Sequence, residues 1–308
     1  MNAIPLDPRK FRDPFVTAKG ETRATVAPTA LRTLWFNTGT LCNIACEGCY
    51  IESSPKNDRL AYLSLEEVRG YLDEIGSLEL GTEEIGFTGG EPFMNRDLPA
   101  MIALALERGF RVMVLTNAMR SMQRLRREVA RLPRERLTFR VSLDHHTAEG
   151  HERVRGERSW RPALDGLRWL VEQGFNVHVA ARAGDEPEGE LRAGFARLFA
   201  EIGLPLAAAD PVELVVFPEM DERVDVPEIT TACWGILKRS PDSMMCATSR
   251  MVVKRKGAAG PAVLACTLIA YDAAFELGRS LAEALKPVPL NHPHCAKFCV
   301  LGGAACSR

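Results

Sequence analysis

Thr33-Leu-Trp-Phe-Asn-Thr-Gly-Thr-Leu-Cys-Asn-Ile-Ala-Cys-Glu-Gly-Cys-Tyr50 reads as a buried strand that runs straight into a cysteine loop. Thr33–Thr38 is the strand. The loop, Cys42-Asn-Ile-Ala-Cys46-Glu-Gly-Cys49-Tyr50, has the spacing C-x3-C-x2-C with an aromatic residue after it. A four-iron cluster is normally held by four thiolates, so three cysteines in one tight loop leave an iron open to a substrate or cofactor. Two alternatives stay open at this point, a zinc site that borrows a fourth ligand and a plain structural loop. Zinc sites favour paired C-x2-C units over a single asymmetric triple.

Outward from this stretch, strands alternate with helices. Ser64 and Glu67 form a capping box ahead of the apolar stripe Leu65, Val68, Leu72 and Ile75. Strands are expected at Glu84–Thr88, Arg111–Leu115, Leu137–Leu143, Asn176–Ala180 and Val212–Phe217, with helical stripes between them. Parallel strands joined by helices are the natural solution, and six units make a partial (β/α)6 barrel of the α/β class. Ligands in such folds sit at the carboxyl ends of strands, where the motifs of this chain fall. Residues 1–30 are expected to be an N-terminal arm, 31–225 the core, and 226–308 a small cysteine-rich α+β module.

The 308 residues carry a net charge of −1, which gives no reason to expect nucleic acid or an anionic membrane as partner. The basic stretch Arg120–Arg136 reads as a solvated helix face. No apolar run reaches spanning length, and the N-terminus lacks a signal-peptide core, so a cytoplasmic protein is expected. The nine cysteines are unevenly placed, three at 42–49 and six from Cys233 onward, as two separate metal centres would leave them. His145, His146 and His151 lie in one loop region and are not expected to be ligands.

Further along, Gly89-Gly90-Glu91-Pro92 ends the second strand. Two glycines allow close backbone approach, and the carboxylate after them can meet a cationic group; a simple turn is the alternative. The cysteine triple together with this motif resembles the radical S-adenosylmethionine (radical SAM) superfamily, over residues 31–220. That resemblance implies that Cys42, Cys46 and Cys49 hold a [4Fe–4S] cluster whose open iron is chelated by S-adenosylmethionine. It implies cofactor contacts for Tyr50, Gly89, Gly90, Glu91 and Pro92, with Glu91 near the methionyl amino group. It extends to Asn117 at the end of the third strand, to Ser142 and Asp144 at the end of the fourth, and to Arg182 after the fifth. The family phrase after the fourth strand has glycine where this chain has His145, followed later by Arg155-Gly156.

Cys246 and Cys266, followed by Cys295, Cys299 and Cys306, resemble the SPASM and shorter twitch extensions of the same superfamily. The resemblance implies one auxiliary [4Fe–4S] cluster on Cys246, Cys266 and two of the last three; a Zn(Cys)4 site is the alternative, and Cys233 is either a ligand or a buried thiol. The implied activity is reductive cleavage of S-adenosylmethionine to a 5′-deoxyadenosyl radical that takes hydrogen from a substrate, fed by a flavodoxin- or ferredoxin-type donor. About thirty residues before the first strand are too few for a leader-binding domain. A small-molecule substrate is therefore expected ahead of a peptide, and a non-catalytic electron-transfer protein is the third reading. The sequence singles out no catalytic side chain.

Overall fold

After a two-residue strand, Thr25–Val26 (β1), six strands follow with helices between them: Thr33–Asn37 (β2), Glu84–Thr88 (β3), Arg111–Thr116 (β4), Leu137–Ser142 (β5), Asn176–Arg182 (β6) and Leu214–Phe217 (β7). The structure, a computed structural model, describes residues 4–184, 186–218 and 221–303. From β2 to β7 each strand pairs in parallel with the next, which is the expected six-unit α/β arrangement. The sixth strand begins at Leu214 rather than Val212, because the Asp210 side chain accepts from the Val212 N–H and holds it in a turn. The fifth runs two residues further than expected, to Arg182.

Side-chain alternation sorts the strands into two faces. Phe36 stacks on Phe87 with ring centroids 5.7 Å apart and meets Tyr71 of the helix Leu65–Ser77 at 6.3 Å. Phe139 packs on Phe93 and Phe175. These rings face the outer helices, so Asn37, Thr88, Arg140 and Ser142 face the barrel interior. The helix Leu65–Ser77 starts at the capping box, with both reciprocal hydrogen bonds formed, and buries Val68, Tyr71, Leu72 and Ile75.

The sheet does not stop at β2. Ser249–Val253 (β8) pairs in parallel with its outer edge, and Ala262–Leu264 (β9) and Glu276–Gly278 (β10) continue antiparallel, giving nine strands in the order β10-β9-β8-β2-β3-β4-β5-β6-β7. The sheet is thus shared between the expected core and the expected C-terminal module. Val288–Pro289 (β11) pairs with β1, and Arg23 forms a buried ion pair with Glu228. The N-terminal arm is therefore docked on the C-terminal segment. The basic stretch after β4 is also engaged: Arg134 donates to three backbone carbonyls and lies over the Phe175 ring, and Arg126 lies over Trp169. Among the described residues no helix is long and apolar enough to cross a membrane.

Candidate active site

Cys42, Cys46 and Cys49 line one cavity at the carboxyl ends of the strands. Gly48 and Tyr50 from the same loop join them, with Thr88, Gly89 and Gly90 at the end of β3, Asn117 just after β4, Ser142 at the end of β5 and Asp144 just after it, and Arg182 from β6. Of the expected cofactor contacts, Glu91 and Pro92 are the two that lie behind the wall, buried.

The glycine pair has a local cause. The Gly90 N–H donates to the Gly39 carbonyl and the Glu91 N–H to the Leu41 carbonyl, so the end of β3 runs against the stretch leading into Cys42. A Cβ on Gly90 would lie 2.5 Å from the Thr40 and Leu41 carbonyl oxygens, and one on Gly89 (φ +152°) 2.6 Å from the Gly39 oxygen. Only glycine fits there.

Glu91 is turned away from the cavity. Its carboxylate accepts from Thr116 Oγ1 (2.8 Å), the Asn117 N–H (2.8 Å) and the Phe93 N–H (3.2 Å). Burial pushes its carboxyl up, against the pull of those hydrogen bonds. Its visible work is to fix Asn117, whose amide NH2 donates to Asn43 Oδ1 at 3.0 Å and lies 4.0 Å from Cys42 Sγ.

On the opposite wall Asp144, 5% exposed, accepts from Arg155 Nε at 2.8 Å and Arg182 Nη2 at 3.2 Å. Burial alone would raise its carboxyl, but the two guanidiniums outweigh that and hold it below the usual carboxylate range. Arg182 also donates to the carbonyls of Glu47 (2.9 Å) and Gly48 (3.3 Å), and the Glu47 N–H donates to the Val154 carbonyl. Asp144 and Arg182 therefore grip the cysteine loop from behind. Burial pushes the Cys42 thiol up to about 12, with the Glu91 carboxylate adding, and raises Cys46 against the opposing charge of Arg155. Buried thiols of this kind ionise when a metal replaces their protons, and three soft donors in one loop fit an iron–sulfur cluster.

Arg155 as the partner of Asp144, and buried Arg140 in the cavity lining, were not singled out from sequence as site residues. An arginine at an inward position of an otherwise apolar strand was the available signal for Arg140. The remaining wall is apolar, made by Ile51, Leu115, Phe217, Leu268 and Phe298. His145 and His146 stack at 4.2 Å and direct Nε2 toward Glu186. The Thr147 N–H donates to His145 Nδ1, and His145 Nε2 lies 3.3 Å from Glu186 Oε2. His151 lies apart, buried against Trp160.

A second, small cavity is lined by Cys246, Cys266, Cys295 and Cys299 together with His294, Met244 and Met245. Burial pushes the Cys246 thiol up to about 11 and Cys295 well above the thiol range. Cys295 and Cys299 are one turn apart on the π-helical segment Cys295–Leu301. Cys306 lies outside the described residues. Cys233 is not in this cavity, and its sulfur accepts from the Thr230 N–H.

Residues 36–184 match the Radical SAM superfamily. The chain is 34% identical over 148 residues to Fe-coproporphyrin III synthase of Methanosarcina barkeri, covering 46% of this chain and 34% of that protein. It is 32% identical to GTP 3′,8-cyclase of Tolumonas auensis (44% of this chain, 39% of that protein) and 29% identical to the subtilosin biosynthesis protein AlbA of Bacillus subtilis (45% and 30%). The chain thus spans about a third of the length of these relatives. Among solved structures it resembles Streptococcus suis SuiB bound to S-adenosylmethionine, with TM-score 0.60, 13% identity, and 81% of this chain and 63% of that one covered. It also resembles anSMEcpe with bound AdoMet, with TM-score 0.59, 13% identity, and 82% and 76% covered. With its cysteine triple and glycine pair facing one cavity at the strand ends of a parallel six-unit sheet, the stretch 36–184 forms a domain of the Radical SAM superfamily.

Proposed function

We propose that this chain cleaves S-adenosylmethionine reductively at Cys42, Cys46 and Cys49, and uses the resulting radical to oxidise or rearrange a small-molecule biosynthetic intermediate. The observation that carries this is the convergence of the three cysteines, Gly89–Gly90, Asn117, Ser142 and Asp144 on one cavity. When bound, a [4Fe–4S] cluster and S-adenosylmethionine supply the electron and the 5′-deoxyadenosyl radical that removes a hydrogen atom from substrate. The protein's part is position and exclusion of water. Gly89–Gly90 let the end of β3 lie against the stretch leading into Cys42, Asp144 and Arg182 hold the loop, and Phe217, Leu268 and Phe298 supply an apolar far wall. A flavodoxin- or ferredoxin-type protein is the proposed electron donor.

Two relatives above 30% identity are named for small-molecule chemistry, a coproporphyrin synthase and a GTP cyclase, which supports a small-molecule substrate over a peptide. Cys246, Cys266, Cys295 and Cys299 are the proposed ligands of one auxiliary [4Fe–4S] cluster, in a twitch-like module over 226–308. The fit rests on four cysteines around one buried cavity. The test is anaerobic incubation with S-adenosylmethionine and dithionite. Wild type should release 5′-deoxyadenosine, and Cys42, Cys46 and Cys49 replaced together by Ala should release none. A protein carrying iron at the loop that forms no 5′-deoxyadenosine would overturn the proposal. Substrates are then screened by deuterium transfer into 5′-deoxyadenosine, with peptides as the competing class.

A further inference from the structure

Arg250 is among the most deeply buried charged side chains of the protein, at 2% exposure. It sits on β8, four residues after Cys246. Its guanidinium donates to the carbonyls of Cys246, Ser249, Ala284 (2.9 Å) and Lys286 (3.3 Å). All four acceptors are neutral. Among the described residues no carboxylate pairs with it, whereas Arg23, equally buried, has Glu228. A buried cation held only by neutral carbonyls is costly unless an anion lies nearby.

Its hydrogen bond to the Cys246 carbonyl sets the guanidinium beside a cysteine of the second cavity, and Cys266 of the same cavity is the other thiol it acts on electrostatically. As thiols they are neutral and offer no counter-charge. Once a metal centre displaces their protons, four thiolates around a [4Fe–4S]2+ core carry net charge −2, and around Zn2+ the same −2. The missing anion is therefore the loaded centre itself.

We infer that Arg250 is the built-in counter-charge of the auxiliary centre, and that it raises the reduction potential of that centre. The inference rests on the four-cysteine reading above. One-electron reduction takes the core from 2+ to 1+ and the site from −2 to −3. A fixed positive charge within a low-dielectric surrounding favours the more negative state. Because arginine stays protonated throughout the working range, the bias is constant. A centre so biased is suited to receive an electron rather than to deliver one.

The experiment uses the full chain with Cys42, Cys46 and Cys49 replaced by Ala, so that the auxiliary centre is the only one left. Iron is measured first, then the midpoint potential by dithionite titration followed by electron paramagnetic resonance. Arg250→Gln should shift the midpoint to more negative potential at equal iron content, and Arg250→Lys should keep it near the parent value. Equal midpoints in the parent and the Gln variant would overturn the inference while leaving the auxiliary cluster intact. Should the Gln variant not fold, because the carbonyls of Ala284 and Lys286 lose their donors, the Lys variant decides. A parent-like midpoint supports the charge role, and a clear negative shift with iron retained overturns it. Zinc or no metal in the parent would instead remove the four-cysteine iron–sulfur reading on which the inference stands.

Discussion

Asp144→Asn separates an electrostatic clamp from a passive wall. One carboxylate, its side chain 3% exposed, serves two guanidiniums: Oδ2 accepts from Arg155 Nε at 2.8 Å and from Arg182 Nη2 at 3.2 Å. Asparagine keeps a single acceptor oxygen and turns an NH2 toward cationic N–H donors. Losing one partner of a buried ion pair costs about 3–5 kcal/mol, against about 1 kcal/mol for an ordinary neutral hydrogen bond. Arg155 and Arg182 retain 14% and 24% side-chain exposure, so water takes part of the load. The lower end, roughly 3 kcal/mol, is the expected loss. The pH dependence has a fixed sign. The Asp144 carboxyl is held below its ordinary value, so the stabilisation is present above the unfolded pKa of about 3.9 and disappears as pH falls through the folded value. The assay is anaerobic urea unfolding of wild type and variant near neutral pH, repeated in acid. Iron at the loop should also fall, since Arg182 grips Glu47 and Gly48 only while Asp144 orients it. A stability difference below about 1 kcal/mol near neutral pH, with iron unchanged, would refute the clamp.

Three further outcomes are expected. Glu91→Gln leaves one acceptor oxygen for the three donors on Thr116, Asn117 and Phe93, so unfolding should come about 1–3 kcal/mol sooner and S-adenosylmethionine affinity should drop; unchanged values in both would return Glu91 to a neutral turn residue. Gly166→Ala gains about 1 kcal/mol of helix propensity but drives a Cβ to 1.9 Å from the Ala118 carbonyl oxygen, where overpacking costs about 1–3 kcal/mol or more; a more stable variant by calorimetry would contradict that geometry. His151 is pushed down to about 4 by burial and then by Arg155, so the unfolded chain takes up its proton first and stability falls as pH drops from about 6.5 toward 4. His151→Phe should flatten the acid limb of a urea-midpoint profile, and an identical slope would show that another group controls it.

The barrel was legible because its signals are local. Capping at Ser64, a stripe over Val68, Leu72 and Ile75, and short apolar runs such as Arg111–Leu115 depend on neighbours in sequence. The cysteine triple and Gly89–Gly90 were legible because few other residues can do their chemistry or fit their space. What sequence could not reveal are choices made across the fold. Nothing local says that Ser249–Val253 pairs in parallel with β2 more than 200 residues earlier. Glu91 looks free to meet a ligand until the β4 end supplies Thr116 and Asn117. The resemblance left open which of the last three cysteines join Cys246 and Cys266; of these, Cys295 and Cys299 line the second cavity.

Six strands are too few to close a barrel, so the space between β7 and the far edge must be covered by something else. Here the cysteine-bearing segments cover it. Phe298, next to Cys299, stacks on Phe217 at the end of β7 with centroids 5.8 Å apart. Leu268, two residues after Cys266, lines both cavities. The two side chains that wall the active cavity on this side thus hang from two of the four proposed auxiliary ligands. The connections that carry these cysteines between β8, β9 and the chain end are short, and a centre that ties the four together would fix their relative positions. Loss of metal at Cys246, Cys266, Cys295 and Cys299 would therefore first loosen Leu268 and Phe298 and admit water to the substrate side of the active cavity. That couples the second centre to the first reaction through packing, independently of any electron that passes between them.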